Sequence, residues 1–87
     1  MTETSADVRA LIDHIAKAIV DEPAQVVVEP GEDEDGKFLE LEVAPSDLGK
    51  VIGRGGRTAR AMRNILAAAC SKLGNDVELE IIEPEDE

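Results

Sequence analysis

The sequence predicts a two-layer α+β domain in which helices cover one face of a three-stranded mixed sheet. Three observations lead to this fold class. Apolar residues recur every three or four positions in two long segments, apolar and acidic residues alternate in shorter ones, and glycines or prolines separate the segments. The predicted element order is α-β-β-α-α-β. We assign one domain to residues 6–82, between a flexible N-terminus (1–5) and a disordered acidic tail (83–87).

The first helix is predicted from a cap, an apolar stripe and a stop. Thr4 or Ser5 can cap the helix, and Pro23 ends it. The stripe identifies the side of the helix that faces the core. It comprises Val8, Leu11, Ile12, Ile15, Ile19 and Val20.

A β-hairpin is predicted next, from two strand-like runs that an acidic loop separates. The run "AQVVVEP" is rich in β-branched residues and stops before Gly31, and "GEDEDG" (31–36) is predicted as the loop. Side chains alternate between the two faces of a strand. The second strand, "KFLELEVA", therefore directs Leu39, Leu41 and Val43 to the core and Glu40 and Glu42 to solvent.

The second half of the chain predicts two helices and a last strand. Ser46 is placed to cap a helix of about two turns, and a longer helix extends from Arg57 to about Leu73, with a stop at Gly74-Asn75. A helical crossover makes the last strand, "DVELEII", parallel to the second one. The residues of the long helix predicted to face the core are Met62, Ile65, Leu66, Ala69 and Leu73. Those of the last strand are Val77, Leu79 and Ile81.

The open face of the predicted sheet is acidic, with Glu40 and Glu42 beside Glu78 and Glu80. We expect no aromatic side chain on this face. An RNA-recognition motif is thereby excluded, because that module stacks bases on aromatic residues of its exposed sheet.

Charge is divided unevenly along the chain, whose net charge is −11. Residues 1–44 carry 12 acids and 3 bases, and residues 76–87 carry 7 acids and no base. Residues 45–75, by contrast, carry 6 bases and a single acid, Asp47. This asymmetry predicts one anion-binding region in a chain whose remaining charge serves solubility.

The segment "GRGG" (Gly53–Gly56) joins the two helices of this basic region. Glycines allow a tight turn, and the first amides of the following helix are expected to be free for a phosphate. A P-loop is excluded because no Gly-Lys-Ser/Thr closes the run and no strand precedes it. The dinucleotide fingerprint is excluded as well, because Thr58 stands where its last glycine belongs.

The stretch "VIGRGGRTARAMRNIL" (Val51–Leu66), together with the element order, resembles the KH domain of type II fold. Across residues 6–82 the chain looks like the small bacterial single-domain KH proteins of the KhpA family. The resemblance implies a non-catalytic protein that holds single-stranded RNA, needs no cofactor, and pairs with itself or with a Jag-type KH protein. Many KH motifs carry isoleucine where this chain has Ala59, a departure that affects groove shape and base preference.

The resemblance also implies roles for individual residues. The loop residues Gly53, Arg54, Gly55 and Gly56 would hold phosphates. Lys50, Arg57 and Arg60 would add positive charge, and Leu48, Val51 and Ile52 would line an apolar groove for bases. We further expect the acidic loop at 31–36 to flank the groove as a lip that repels a misplaced RNA backbone.

Two functions remain open at this point. The first is a dimeric RNA-binding protein, such as an RNA chaperone or post-transcriptional regulator, because one groove reads few bases and two act together through effective concentration. The second is an adaptor that uses the KH scaffold for protein contacts, through its acidic sheet face or an apolar patch. The net charge of −11 favours the adaptor somewhat, since it weakens long-range attraction to RNA.

The remaining reactive residues predict neither catalysis nor a metal site. Cys70 is interpreted as a buried, inert thiol, and His14 as a packing or surface residue without a second ligand at metal spacing. A lone cysteine and the absence of a long apolar run indicate a cytoplasmic protein.

Overall fold

The computed structural model of the chain describes residues 3–73 and 76–83. It contains the six predicted elements in the predicted order, which confirms the α+β fold class. The helices are α1 (Glu3–Ile19), α2 (Leu48–Ile52) and α3 (Arg57–Leu73), and the strands are β1 (Val27–Asp33), β2 (Gly36–Glu42) and β3 (Val77–Ile81). Three short 3-10 turns connect them, at Pro23–Gln25, Pro45–Asp47 and Arg54–Gly56.

The sheet has the strand order β1-β2-β3, so that β2 is central and β1 and β3 are edges. β1 and β2 are antiparallel and β2 and β3 are parallel, as predicted. Leu39 pairs with Pro30 on one side and with Leu79 on the other. The helices cover this apolar face, and the core forms between the two layers. It contains Val8, Ile12, Ala16, Val28, Leu39, Leu41, Val51, Met62, Leu66, Cys70 and Leu79.

The predicted domain boundaries can be compared with the structure only in part. α1 begins at Glu3, earlier than the expected cap at Thr4 or Ser5. Residues 1–2 and 84–87 lie outside the described residues, as does the expected stop at Gly74-Asn75. The division into a flexible start, a domain at 6–82 and a disordered tail stays a prediction.

The hairpin turn is shorter than the sequence predicted. β1 continues through Pro30 and Gly31 to Asp33, where it pairs with Gly36, so only Glu34 and Asp35 form the turn. Pro30 is tolerated because β1 is an edge strand, where a missing backbone donor disrupts little pairing. The backbone N–H of Asp35 donates to the Asp33 carboxylate at 2.9 Å, which stabilises the tight turn.

Two residues of the predicted apolar stripes are exposed. Ile19 retains 36% and Ile65 45% of its surface, so assigning both to the core was wrong. The sheet has only three strands and accommodates a narrow stripe of each helix. Ala16 of α1 and Cys70 of α3 occupy the core instead, which confirms that the Cys70 thiol is buried.

The outer face of the sheet, which the helices leave open, does carry an aromatic residue. Phe38 pairs with Gly31 and Glu78 on this face, so the expectation of no aromatic there was wrong. Its ring lies directly over Gly31, where any Cβ atom would collide with it. The ring is half-buried against the sheet and therefore does not stand out as a stacking platform.

Candidate nucleic-acid interface

The loop between α2 and α3 has a backbone that only glycine adopts readily. Gly53, Gly55 and Gly56 have φ values of +79°, +63° and +79°. At Gly53 a Cβ atom would also meet the backbone nitrogen and side chain of Thr58, so the turn has no room for a larger residue there. Gly55 and Gly56 face open space. The two later glycines therefore leave the outer surface of the loop clear for a ligand to approach closely.

The hydrogen bonds of the loop determine which amides can meet a phosphate. Gly56 donates to the carbonyl of Gly53 at 3.0 Å, and the Arg57 amide donates to Arg54. The amide that begins the long helix is therefore occupied, contrary to expectation. In the described part of the chain, the amides of Arg54 and Gly55 have no protein partner. These two donors and the exposed Arg54 side chain form a small surface of positive partial charge, of the kind that can accept an anion.

The four predicted cations differ in how available they are. Arg54 and Arg57 are exposed, and Arg60 lies close enough to the loop for its Nη2 to reach the Gly55 carbonyl at 3.5 Å. Lys50 is instead engaged in an ion pair, with its Nζ 3.3 Å from Oδ2 of Asp21 at the end of α1. The three arginines therefore contribute more positive charge to a ligand than Lys50 does.

Asp47, the single acid of the basic region, holds the loop in place. The sequence predicted Ser46 as the helix cap, but Ser46 is exposed and Asp47 precedes α2 instead. Only 1% of Asp47 is exposed, and its carboxylate accepts hydrogen bonds from the amides of Asp21 at 3.1 Å and Glu22 at 3.0 Å. Burial of a carboxylate is tolerated when both oxygens are bonded in this way. Asp47 thereby ties α2, and the glycine loop after it, to the end of α1.

A cleft of about 410 Å³ opens beside the glycine loop. It lies between α2 and α3 on one side and the C-terminal end of β3 on the other. Two of the three predicted groove residues do not line it: Val51 is fully buried in the core, and the half-buried Leu48 packs against that core. The assignment of Val51 to a base-binding surface was therefore wrong. The lining residues are Ile52, Gly56, Ala59, Arg60, Arg63, Ile81 and Glu83.

Four of these lining residues were missed as site residues. Arg63 follows Arg60 by three positions and so lies on the same side of the helix, a spacing that could have identified it. Ile81 and Glu83 reach the cleft only because β3 is parallel to β2, and Ala59 because α3 turns it inward. No local pattern in the sequence indicates Ile81 or Glu83, whereas Ala59 is the departure from other KH motifs that predicts an altered groove shape.

The acidic hairpin turn does not flank the cleft. Its residues Asp33 and Gly36 lie where β2 begins, whereas the cleft lies where β2 and β3 end, as the pairing of Leu41 with Ile81 shows. The length of β2, about 20 Å, separates the two. The expected acidic lip was therefore wrong, and the carboxylate that does line the cleft belongs to Glu83.

A second pocket of about 290 Å³ lies on the other side of Arg63, lined by Leu66, Ala67, Val77, Glu78 and Leu79. Among residues 3–73 and 76–83, no three His, Cys, Asp or Glu side chains converge as metal ligands would. His14 is exposed on α1. No helix in this part of the chain is long and apolar enough to cross a membrane.

Comparison with known proteins supplies the family. Residues 9–81 match the family model described as "KhpA/KhpB, KH domain". The chain belongs to the KhpA/KhpB family of KH domains. Membership of this non-catalytic family confirms the prediction that the chain is not an enzyme.

Relatives in this family cover most of the chain. The RNA-binding protein KhpA of Halalkalibacterium halodurans is 45% identical over 75 residues, which is 86% of this chain and 99% of the relative. The protein of the same name from Borreliella burgdorferi is 45% identical over 84% of this chain and 89% of its own length. That of Streptomyces coelicolor is 51% identical over 66% of this chain and 72% of its own. No solved structure matches significantly.

Proposed function

We propose that this chain is a non-catalytic RNA-binding protein that holds single-stranded RNA in the cleft, with the glycine loop as its phosphate clamp. The observation that carries this function is the loop itself, where left-handed glycines place two unpartnered amides beside Arg54. The family and the names of the relatives support RNA as the ligand. We place the protein in the cytoplasm, as a post-transcriptional regulator or RNA chaperone.

Affinity for short labelled single-stranded RNAs, measured by fluorescence anisotropy, tests this function. The double variant Arg54→Asp, Gly55→Asp reverses the charge of the loop, and we expect it to abolish binding while circular dichroism shows an intact fold. Single-strand binding loses about 0.7 units of log affinity per phosphate contact for each unit of log salt. We expect a slope of this kind for the wild type. Equal binding by both proteins would remove the loop from the proposed function.

We also propose that the protein acts as a dimer, either with itself or with a Jag-type KH protein. Ile65 has the largest exposed fraction of the exposed large apolar residues in the described chain, at 45%. Ala61 and Ala68 lie next to it on the solvent side of α3, at helical spacing, so an apolar strip faces outward. Two copies of α3 packed antiparallel at Ile65 would leave their glycine loops at opposite ends of the interface. Both clamps could then hold one RNA.

Light scattering at tens of micromolar tests the dimer. We expect Ile65→Glu to give a monomer, because it introduces a charge at the centre of the interface. Ile19→Glu is the matched control, since Ile19 is exposed on α1 and lies outside the α3 strip. A wild-type monomer, alone and with a Jag-type partner, would contradict dimerisation.

A second candidate function is a protein adaptor, which one observation favours. Glu29, Glu40 and Glu80 lie side by side across the outer sheet face, next to the exposed side chains of Val27 and Ile82. Like charges directly opposite each other on neighbouring strands are destabilising, and a basic partner would neutralise them. The adaptor predicts no RNA binding that depends on Arg54 or Arg57, so the loop variant distinguishes the two functions.

A further inference from the structure

Arg63 is fixed at one edge of the cleft by a backbone contact. Its Nε donates to the carbonyl of Leu79 at 3.2 Å, on the free edge of β3. Arg9 makes the equivalent contact at the opposite edge of the sheet, where its Nε donates to the Val28 carbonyl at 2.7 Å. Both bonds protect an edge strand, and Arg63 also lines the cleft beside the glycine loop, while Leu79 lines the second pocket on its other side.

The Leu79 contact leaves most of the Arg63 guanidinium available. Of the five N–H donors of an arginine, one is used, and the four on the two Nη atoms remain. Because Nε is held against the strand edge, the orientation of the planar group beside the cleft is restricted. A free surface arginine would have to lose side-chain entropy to hold the same orientation.

Glu83 lines the same cleft and brings two acceptor oxygens to it. The ion pairs of the described residues are Lys17 with Asp13 and Lys50 with Asp21. Glu83 therefore pairs with neither Arg60 nor Arg63 within that part of the chain, and its two oxygens are available to a ligand. The cleft is also lined by Ile52, Ala59 and Ile81, whose apolar side chains suit the face of a base.

We propose that Arg63 and Glu83 read a guanine base in this cleft, an inference that rests on the proposed RNA-binding function. Guanine presents two adjacent acceptors, O6 and N7, which match a guanidinium in a bidentate contact. Its N1–H and N2–H are two adjacent donors, which match the two oxygens of a carboxylate. Uracil has a single N–H between two carbonyl oxygens, and those oxygens would repel Glu83. Adenine has no pair of adjacent acceptors for Arg63, and cytosine, whose O2 and N3 are adjacent acceptors, has a single amino group and no pair of adjacent donors for Glu83.

Ala59 adds room for a purine. The resemblance to other KH motifs would place isoleucine at this position, and the smaller alanine lowers the floor of the cleft beside Ile52 and Ile81. A two-ring base extends further over this floor than a pyrimidine does. The size of the cleft thus favours the same base as its hydrogen-bonding groups.

The experiment uses the full chain and labelled heptaribonucleotides of uridine that differ only at the central base: guanine, adenine, cytosine, uracil or hypoxanthine. Hypoxanthine lacks the N2 amino group, so it removes one donor to Glu83 and nothing else. A good bidentate contact discriminates by about 1–3 kcal/mol, or roughly 5- to 150-fold. We expect guanine to bind tightest by about that factor, and hypoxanthine to lose part of the advantage.

Variants assign the effect to the two residues. Glu83→Gln should abolish the difference between guanine and hypoxanthine, and Glu80→Gln, the same change on the outer face, should preserve it. Arg63→Lys keeps the charge but loses the bidentate fork, so the guanine preference should fall while the salt slope stays. Arg9→Gln is the control for losing an edge contact and should leave the base ranking unchanged.

The possible failures are distinguishable. Equal affinity for all five probes, with binding still abolished by the Arg54→Asp, Gly55→Asp variant, would overturn guanine reading and leave the proposed function intact. A guanine preference that survives both Glu83→Gln and Arg63→Lys would overturn the assignment to these residues. Absence of binding to every probe, with or without a KH partner, would overturn both proposals.

Discussion

Asp47 and Asp21 connect the start of α2 to the end of α1, because Oδ1 of Asp47 accepts the backbone N–H of Asp21 at 3.1 Å. The side chain of Asp21 in turn pairs with Lys50, one turn further along α2. The glycine loop follows directly after this helix. The position of the loop therefore depends on the hydrogen bond between Asp21 and Asp47 and on the ion pair between Asp21 and Lys50. None of these three residues lies in the loop or lines the cleft.

Removal of the Asp47 carboxylate should destabilise the fold strongly. Asp47→Ala leaves the amides of Asp21 and Glu22 without their acceptor in a largely buried site. The change removes two charge-assisted hydrogen bonds and leaves two amide donors without an acceptor. We therefore expect the free energy of unfolding to fall by about 2–4 kcal/mol. Urea denaturation followed by circular dichroism measures it. The neighbouring change Ser46→Ala should stay within about 0.5 kcal/mol, since Ser46 is exposed.

Gly49 and Gly53, which follow the end of β2 by seven and eleven residues, should respond to alanine with opposite signs because their backbone conformations differ. Gly53 has φ +79° and ψ 167°, a conformation that is close to glycine-only, and an added Cβ would meet Thr58. We expect Gly53→Ala to lower the free energy of unfolding by roughly 2–4 kcal/mol. Gly49 is helical and faces open space, so Gly49→Ala should raise it by about 0.5–1 kcal/mol. Thermal and urea unfolding would show both signs, and equal effects would contradict the loop geometry.

Release of Lys50 from its ion pair should strengthen RNA binding. Asp21→Asn removes the partner at 3.3 Å and one negative charge near the loop. Because exposed pairs contribute about 0.2–1 kcal/mol, we expect affinity for single-stranded RNA to rise by up to about 5-fold. Asp13→Asn is the matched control, since it breaks the Lys17 pair within α1. An equal gain from both changes would indicate net charge alone as the cause.

Neutralisation of the hairpin turn should leave RNA affinity unchanged. Glu34→Gln with Asp35→Asn removes two charges at the end of the sheet opposite the cleft. The separation of about 20 Å exceeds the screening length of about 8 Å at physiological salt. Anisotropy at that salt concentration should give the wild-type affinity, whereas a clear increase would restore the acidic turn as a lip of the groove.

Sequence periodicity identified the helices and strands, but it did not predict which apolar residues are buried in the core and which stay at the surface. Alternation placed Leu39, Leu41 and Leu79 on the core face correctly, because that pattern is a local property of a strand. It failed at Val51, an apolar residue next to the glycine loop that the core takes up entirely. It failed in the opposite direction at Ile65, which was assigned to the core and is exposed. Helical spacing identifies an apolar stripe, but it does not indicate how much of that stripe a three-stranded sheet can cover.

The sequence by itself determined the fold class, the glycine loop and the basic segment around it. These follow from residue types at local spacings: glycines that permit positive φ, apolar periods, and an excess of arginine after the loop. The tertiary structure alone decided which distant groups meet there. The parallel pairing of β2 and β3 places Glu83 in the same cleft as Arg63, and the packing of α1 brings Asp21 to Asp47 and Lys50. Such contacts depend on chain topology and burial, which join residues far apart in sequence that share no local pattern.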